Sequence, residues 1–124
     1  MKHHSIKVGA LSKFQPEQSS PSDGRYVFSY TITIENQGDE AARLLDRHWV
    51  ITDSDGKVQE VRGEGVVGEQ PYLQPGERFE YTSGTILPTP VGSMHGSYGM
   101  VSDDGTRSDA AIPAFSLASM RSLH

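Results

Sequence analysis

The chain contains no cysteine. No disulfide framework can hold it, and no thiol can act as nucleophile or zinc ligand. That absence suits a cytoplasmic protein. No run approaches the roughly 20 apolar residues that a membrane helix requires, and the opening MKHHSIKVGALSKF has no apolar segment of signal-peptide length. Positive charge is also scarce. Asp and Glu total 16 against 11 Lys and Arg, a net charge of −5. Such a domain repels phosphate backbones at long range, which argues against general nucleic-acid binding. Arg43, Arg47, Lys57, Arg62 and Arg78, all in the middle third, read as part of a mixed solvated surface. Long helices are excluded too, because 13 glycines and 7 prolines are spread over most of the 124 residues.

What is present is a set of short alternating runs in a chain of one-domain length. In RYVFSYTITIEN, Tyr26, Phe28, Tyr30, Ile32 and Ile34 fall on one face and Val27, Ser29, Thr31, Thr33 and Glu35 on the other. A period of two with aromatic and β-branched residues predicts a strand with one buried face. RHWVITD and KVQEVRG are separated by Ser54-Asp55-Gly56, a hairpin signal. Asp103-Asp104-Gly105 repeats it between GSYGMVS and TRSDAAIPAFSLA, and Pro75-Gly76 opens a turn before ERFEYTSGTIL. Ile6, Val8 and Ala10 are in phase near the start. About seven strands joined by turns predict an all-β antiparallel sandwich or barrel. Residues 39–45 are ambiguous between a helical turn and a strand, with a strand expected from about Leu44. The loop QPEQSSPSDG, 15 to 24, joins the first two strands, and the final SMRSLH reads as a loose end.

One stretch makes a chemical claim. VRGEGVVGEQP contains Gly63, Gly65 and Gly68 in the spacing G-x-G-x-x-G, which in a dinucleotide site follows a strand and opens a helix whose N–H groups hold pyrophosphate. A strand precedes it here, but Pro71 and Pro75 stand where the helix would run. No Gly-Lys-Ser/Thr follows for a Walker loop, and the lysine strand and later motifs of a kinase are missing. The glycines are therefore expected to serve the backbone, through positive φ, a bulge or close packing where the chain changes sheets. Arg62 beside such a loop could still meet an anion.

Other chemistry is incomplete. Histidines stand at 3, 4, 48, 95 and 124 with no H-x-H or H-x-x-x-H pair, so a metal site would need folding to unite His48, His95 and a carboxylate. Asp53-Ser-Asp55-Gly56 lacks the spacing and distal Glu of a calcium loop, and reads as a turn, as does Asp103-Asp104-Gly105. Ser93 and His95 are near neighbours without an orienting acid or oxyanion hole. Trp49, the only Trp, is expected to anchor the core, with Arg47 on the same face at the core edge.

RYVFSYTITIEN, the long run from LLDRHWVITDSDGKVQEVRGEGVVGEQP to PGERFEYTSG, and GSMHGSYGMVSDDG followed by IPAFSLA together resemble the ApaG, or CorD, family from about Ile6 to Ala118. The resemblance implies a single fibronectin type III-like antiparallel β-sandwich, 1–124 with its core at about 6–118, in the cytoplasm. It implies links to cobalt tolerance and magnesium transport. Three functional readings follow. The first is a non-enzymatic interaction module that captures a protein partner, including by strand addition. The second is nucleotide or pyrophosphate binding by Arg62, Gly63, Gly65 and Gly68. The third is divalent-cation binding by carboxylates near Asp53, Asp55 or Asp103. No catalytic residue, metal ligand or cofactor is assigned, and a homodimer through sheet faces or edges is compatible with the fold.

Overall fold

The computed structural model describes residues 4–119. His3, His124 and the tail beyond Ser119 lie outside the described residues. Eight strands follow one another: β1 (Ile6–Phe14), β2 (Tyr26–Asn36), β3 (Ala42–Asp53), β4 (Val58–Glu64), β5 (Tyr72–Leu73), β6 (Arg78–Leu87), β7 (Val91–Ser102) and β8 (Arg107–Ala118). They form two antiparallel sheets, β1-β2-β6 and β4-β3-β7-β8, with β5 pairing the start of β3. No α-helix occurs among the described residues; the β1–β2 loop holds two single 3-10 turns, Pro16–Gln18 and Pro21–Asp23.

The expected strands are all present, and the two-residue β5 is the addition. It is too short to show a period in the sequence. The ambiguous segment resolves as strand, since β3 begins at Ala42, two residues before the expected start. Ala42 and Leu44 are buried while Arg43 is exposed, so period two wins over the helical spacing of Ala41, Leu44, Leu45 and His48. The three expected turns carry Gly56 (φ 82°), Gly76 (φ 88°) and Gly105 (φ 86°). Asp53 holds its turn, its Oδ1 accepting the N–H groups of Asp55 and Lys57 at 2.9 and 3.0 Å.

The core lies between the sheets. Phe28, Tyr30, Ile32 and Ile34 of β2 face Leu44, Trp49 and Ile51 of β3, Tyr98 and Met100 of β7 and Leu117 of β8. Trp49, only 2% exposed, meets Tyr30 of the opposite sheet edge-on at 5.3 Å between centroids, and Phe115 and Tyr98 of its own sheet at 6.0 and 6.4 Å. These edge-on, T-shaped contacts match the aromatic quadrupoles and add about 0.5–1.5 kcal/mol per pair to the area buried. The hydroxyls of Tyr81 and Tyr98 are hydrogen-bonded across the same interior, which satisfies two polar groups that would otherwise be costly to bury. Buried Asn36 is likewise satisfied. Its Nδ2 donates to the Glu40 and Leu73 carbonyls, and its Oδ1 accepts from Gly38.

The two long sides of the sandwich differ. β1 and β8 lie against each other, and Ser12 Oγ donates to the Ser116 carbonyl at 2.7 Å. On the opposite side β4 and β6 are both edge strands, and a cleft of about 560 Å³ runs between them.

Candidate binding site

The Gly63–Gly68 segment forms one end of this open side. β4 ends at Glu64, and the chain turns back immediately. Val66 N–H donates to Glu69 O at 2.8 Å and Glu69 N–H to Val66 O at 2.9 Å. Val67 and Gly68 between them have φ of 44° and 81°. Positive φ at both central residues of a two-residue hairpin defines a type I′ turn. No helix follows; the chain runs to β5, so the helix that a dinucleotide loop needs is missing, as the prolines predict. The chain does not change sheets here, contrary to expectation, because β4 and β5 both pair with β3. The crossing to the other sheet comes later, between β5 and β6.

The candidate residues are split between two faces. Arg62 points to the outer face of its sheet, its side chain 72% exposed and 3.9 Å from Glu60. Gly63 points inward, where a Cβ would stand 2.7–2.8 Å from the guanidinium of Arg47. Gly65 has φ of 63°, and a Cβ there would collide with the Glu69 carbonyl. Gly68 completes the I′ turn. The hollow beside these glycines is bordered by Glu64 and Glu69.

The arginine that the fold brings to the loop is Arg47. Its Nη1 donates to the Glu64 and Gly65 carbonyls at 3.0 and 2.9 Å. Its place beside Trp49 on the inner face of β3, expected from their spacing, puts it at the core edge in the cleft wall. Trp49, Ile51 and Met94 form the apolar floor, Ile86 of β6 stands at the rim with 48% of its surface exposed, and Arg25 adds a second cation. Toward the turn the cleft continues past Val66, Val67 and Tyr81. Sequence reading missed this assembly because Arg25, Arg47 and Ile86 are far apart in the chain.

The remaining candidates scatter. His48 pairs with Glu60 on the outer face at 2.7 Å. His48 is half-buried, whereas His95 is exposed and lies opposite Val50. Among the described residues the group that could hold a cation is His4, Glu40 and Asp104, each offering a ligand atom within 4.8 Å of the others. No spacing motif announces it. Nearby, the Tyr72 hydroxyl bonds the Asp103 carboxylate at 2.7–2.8 Å. That bond is the main reason its pKa lies above the usual phenol value.

The ApaG domain model matches residues 16–102. Protein ApaG of Thiobacillus denitrificans is 60% identical over 123 residues, covering 99% of this chain and 97% of that one. Protein ApaG of Pseudomonas aeruginosa is 57% identical over 121 residues, 98% and 96% of the two chains. A solved Bordetella pertussis structure, described as an ApaA protein, superposes with a TM-score of 0.94 at 50% identity, over 98% of both chains. A domain match over most of the length, relatives of this identity and the same sandwich agree: the chain belongs to the ApaG family.

Proposed function

We propose that the protein is a non-enzymatic interaction module that captures an extended segment of a protein partner along the open side between β4 and β6. The observation that carries this reading is the pair of unpaired edges flanking one cleft. Gly65 N–H bonds Leu45 O at 2.8 Å and Asp53 N–H bonds Lys57 O at 3.0 Å. Odd-numbered residues of β4 thus serve the β3 ladder. By the alternation of an antiparallel pair, Val58, Glu60 and Arg62 turn their N–H and C=O groups to the free edge. A free edge beside a side-chain pocket is the arrangement that strand addition uses. A link to cobalt tolerance or magnesium transport would then run through the partner.

The test is selection of linear peptides from a random displayed library, followed by mapping of amide shifts. Enriched peptides should move the amides of β4 and β6. Arg62→Pro, which removes an edge N–H without touching the β3 ladder, should weaken them severely. Enrichment of nothing, or shifts confined to other strands, would end the reading.

A second reading is direct divalent-cation binding, favoured by the cluster of His4, Glu40 and Asp104. Imidazole with two carboxylates suits a first-row divalent ion. Calorimetry with cobalt and magnesium tests it, and heat no greater than dilution would dismiss it. The nucleotide reading of Arg62 and the glycine loop draws less support, because Arg62 faces away and two carboxylates flank the glycines.

A further inference from the structure

The open cleft has a chemical bias that the edges alone do not explain. The chain carries 16 acidic residues and a net charge of −5. Yet the main body of the cleft is lined by two cations, Arg25 and Arg47, and no carboxylate; Glu64 borders only the continuation toward Val67. Only Nη1 of Arg47 is engaged in hydrogen bonds among the described residues, so the rest of its fork remains for another acceptor. Around the two cations the walls are mixed: Trp49, Ile51 and Met94 lie buried beneath, Ile86 is exposed at the rim, and Gln18, Gln59, Ser83 and Thr85 stand between.

The mouth adds an independent sign. Val67 is the one non-glycine residue with positive φ among the described residues. A β-branched side chain is strained there. It nevertheless holds an apolar side chain, 53% exposed, at the cleft end. Strain at a site edge is a place where function is retained against stability.

We infer that the cleft takes an extended peptide segment in which acidic and apolar side chains alternate, the carboxylates meeting Arg47 and Arg25 and the apolar groups the exposed Val67 and Ile86 at the rim, above the buried Trp49. This rests on the strand-capture reading and gives it a partner chemistry. Alternation follows from pleating, which sends successive side chains to opposite faces and every second one to the same wall. Charge-assisted bonds from guanidinium to carboxylate supply the preference for acid over amide. Trp49 reports occupancy, being the only Trp and lying in the floor.

The experiment titrates blocked peptides of about six residues, long enough to run along most of an edge strand. One alternates Val with Glu, one Val with Gln and one Val with Lys. Trp49 fluorescence and backbone amide shifts are followed, with inorganic tripolyphosphate as competitor. The Val-Glu peptide should move the β4 and β6 amides and bind about tenfold or more tighter than the Val-Gln peptide. Raised salt should shrink that ratio. Arg25→Gln, at an exposed position that leaves the fold alone, should reduce it about threefold or more, and Arg25→Lys should restore most of it. Equal affinity for the Glu and Gln peptides, with β4 and β6 amides still moving, would overturn the acidic preference and leave strand capture standing. Absence of β4 and β6 shifts with every peptide would remove both. Tripolyphosphate binding tighter than any peptide would assign the cations to a small anion and overturn the proposal.

Discussion

Arg47 and Gly63 are register partners across β3 and β4, and the guanidinium of the one occupies the place of the Cβ that the other lacks. The first glycine of G-x-G-x-x-G therefore makes room for a side chain of this protein. It follows that Gly63→Ala should displace Arg47 from the Glu64 and Gly65 carbonyls. We expect a loss of about 1.5–3 kcal/mol, the scale of one hydrogen bond from a charged group, read by urea unfolding. A shift in Trp49 emission in the folded variant should accompany it. Unchanged stability and emission would show that the guanidinium relocates without cost.

Gly65→Val should cost more. It combines a β-branched residue at φ of 63° with a collision against the Glu69 carbonyl. Strain of this kind together with overpacking sums to about 3 kcal/mol or more. The variant should unfold at a clearly lower temperature in calorimetry. A Gly65→Val protein as stable as the parent but lacking a measured ligand affinity would return the loop to a binding role.

Val67→Asn should act in the opposite direction. Asn tolerates the left-handed region and, followed by Gly68, makes the favoured type I′ pair. A gain of about 0.5–1 kcal/mol is expected in denaturant unfolding. If Val67 contacts a peptide as inferred, the more stable variant should bind it more weakly.

The buried pair Tyr81 and Tyr98 sets an alkaline limit. Burial pushes the Tyr81 hydroxyl up to about 12 and holds Tyr98 higher still, the neighbouring Tyr81 adding to the effect. In the unfolded chain both would ionise near pH 10. Below about pH 10 both states are protonated and the full stability is present. Above it the unfolded state releases protons that the folded state keeps, so stability falls as pH rises through about 12. Melting temperatures measured from pH 8 upward should drop beyond pH 10, and tyrosinate absorbance from this pair should appear together with unfolding. Tyr81→Phe combined with Tyr98→Phe should flatten the drop. Because the paired substitution leaves no orphaned hydroxyl, it should cost less than the two single changes added together.

The strands were legible because local patterning states them directly. Tyr26 to Ile34 alternate without a break, and Asp-Gly and Pro-Gly steps mark the turns. β5 was not legible, since two residues carry no period, and residues 39–45 satisfied two periods at once until burial of Ala42 and Leu44 chose between them. Trp49 in the core and Arg47 at its edge could be read from their spacing. That Arg47 would reach the glycine loop could not, because it depends on the β3–β4 register and on an inward-facing Gly63. Arg62 lies next to that glycine in sequence, and pleating turns it to the other face. The grouping of His4, Glu40 and Asp104 and the cationic lining of the cleft arise only when distant turns and edges converge.

A sandwich sealed along β1 and β8 and unsealed along β4 and β6 is built like a book bound along one margin. Its resistance to opening is graded from spine to fore-edge. Amides of β2, β3 and β7, interior to their sheets and packed on the aromatic cluster, belong to the part that opens only with global unfolding. The free margins of β4 and β6 should part and close at smaller cost, and that is where the proposed segment would enter while the binding holds.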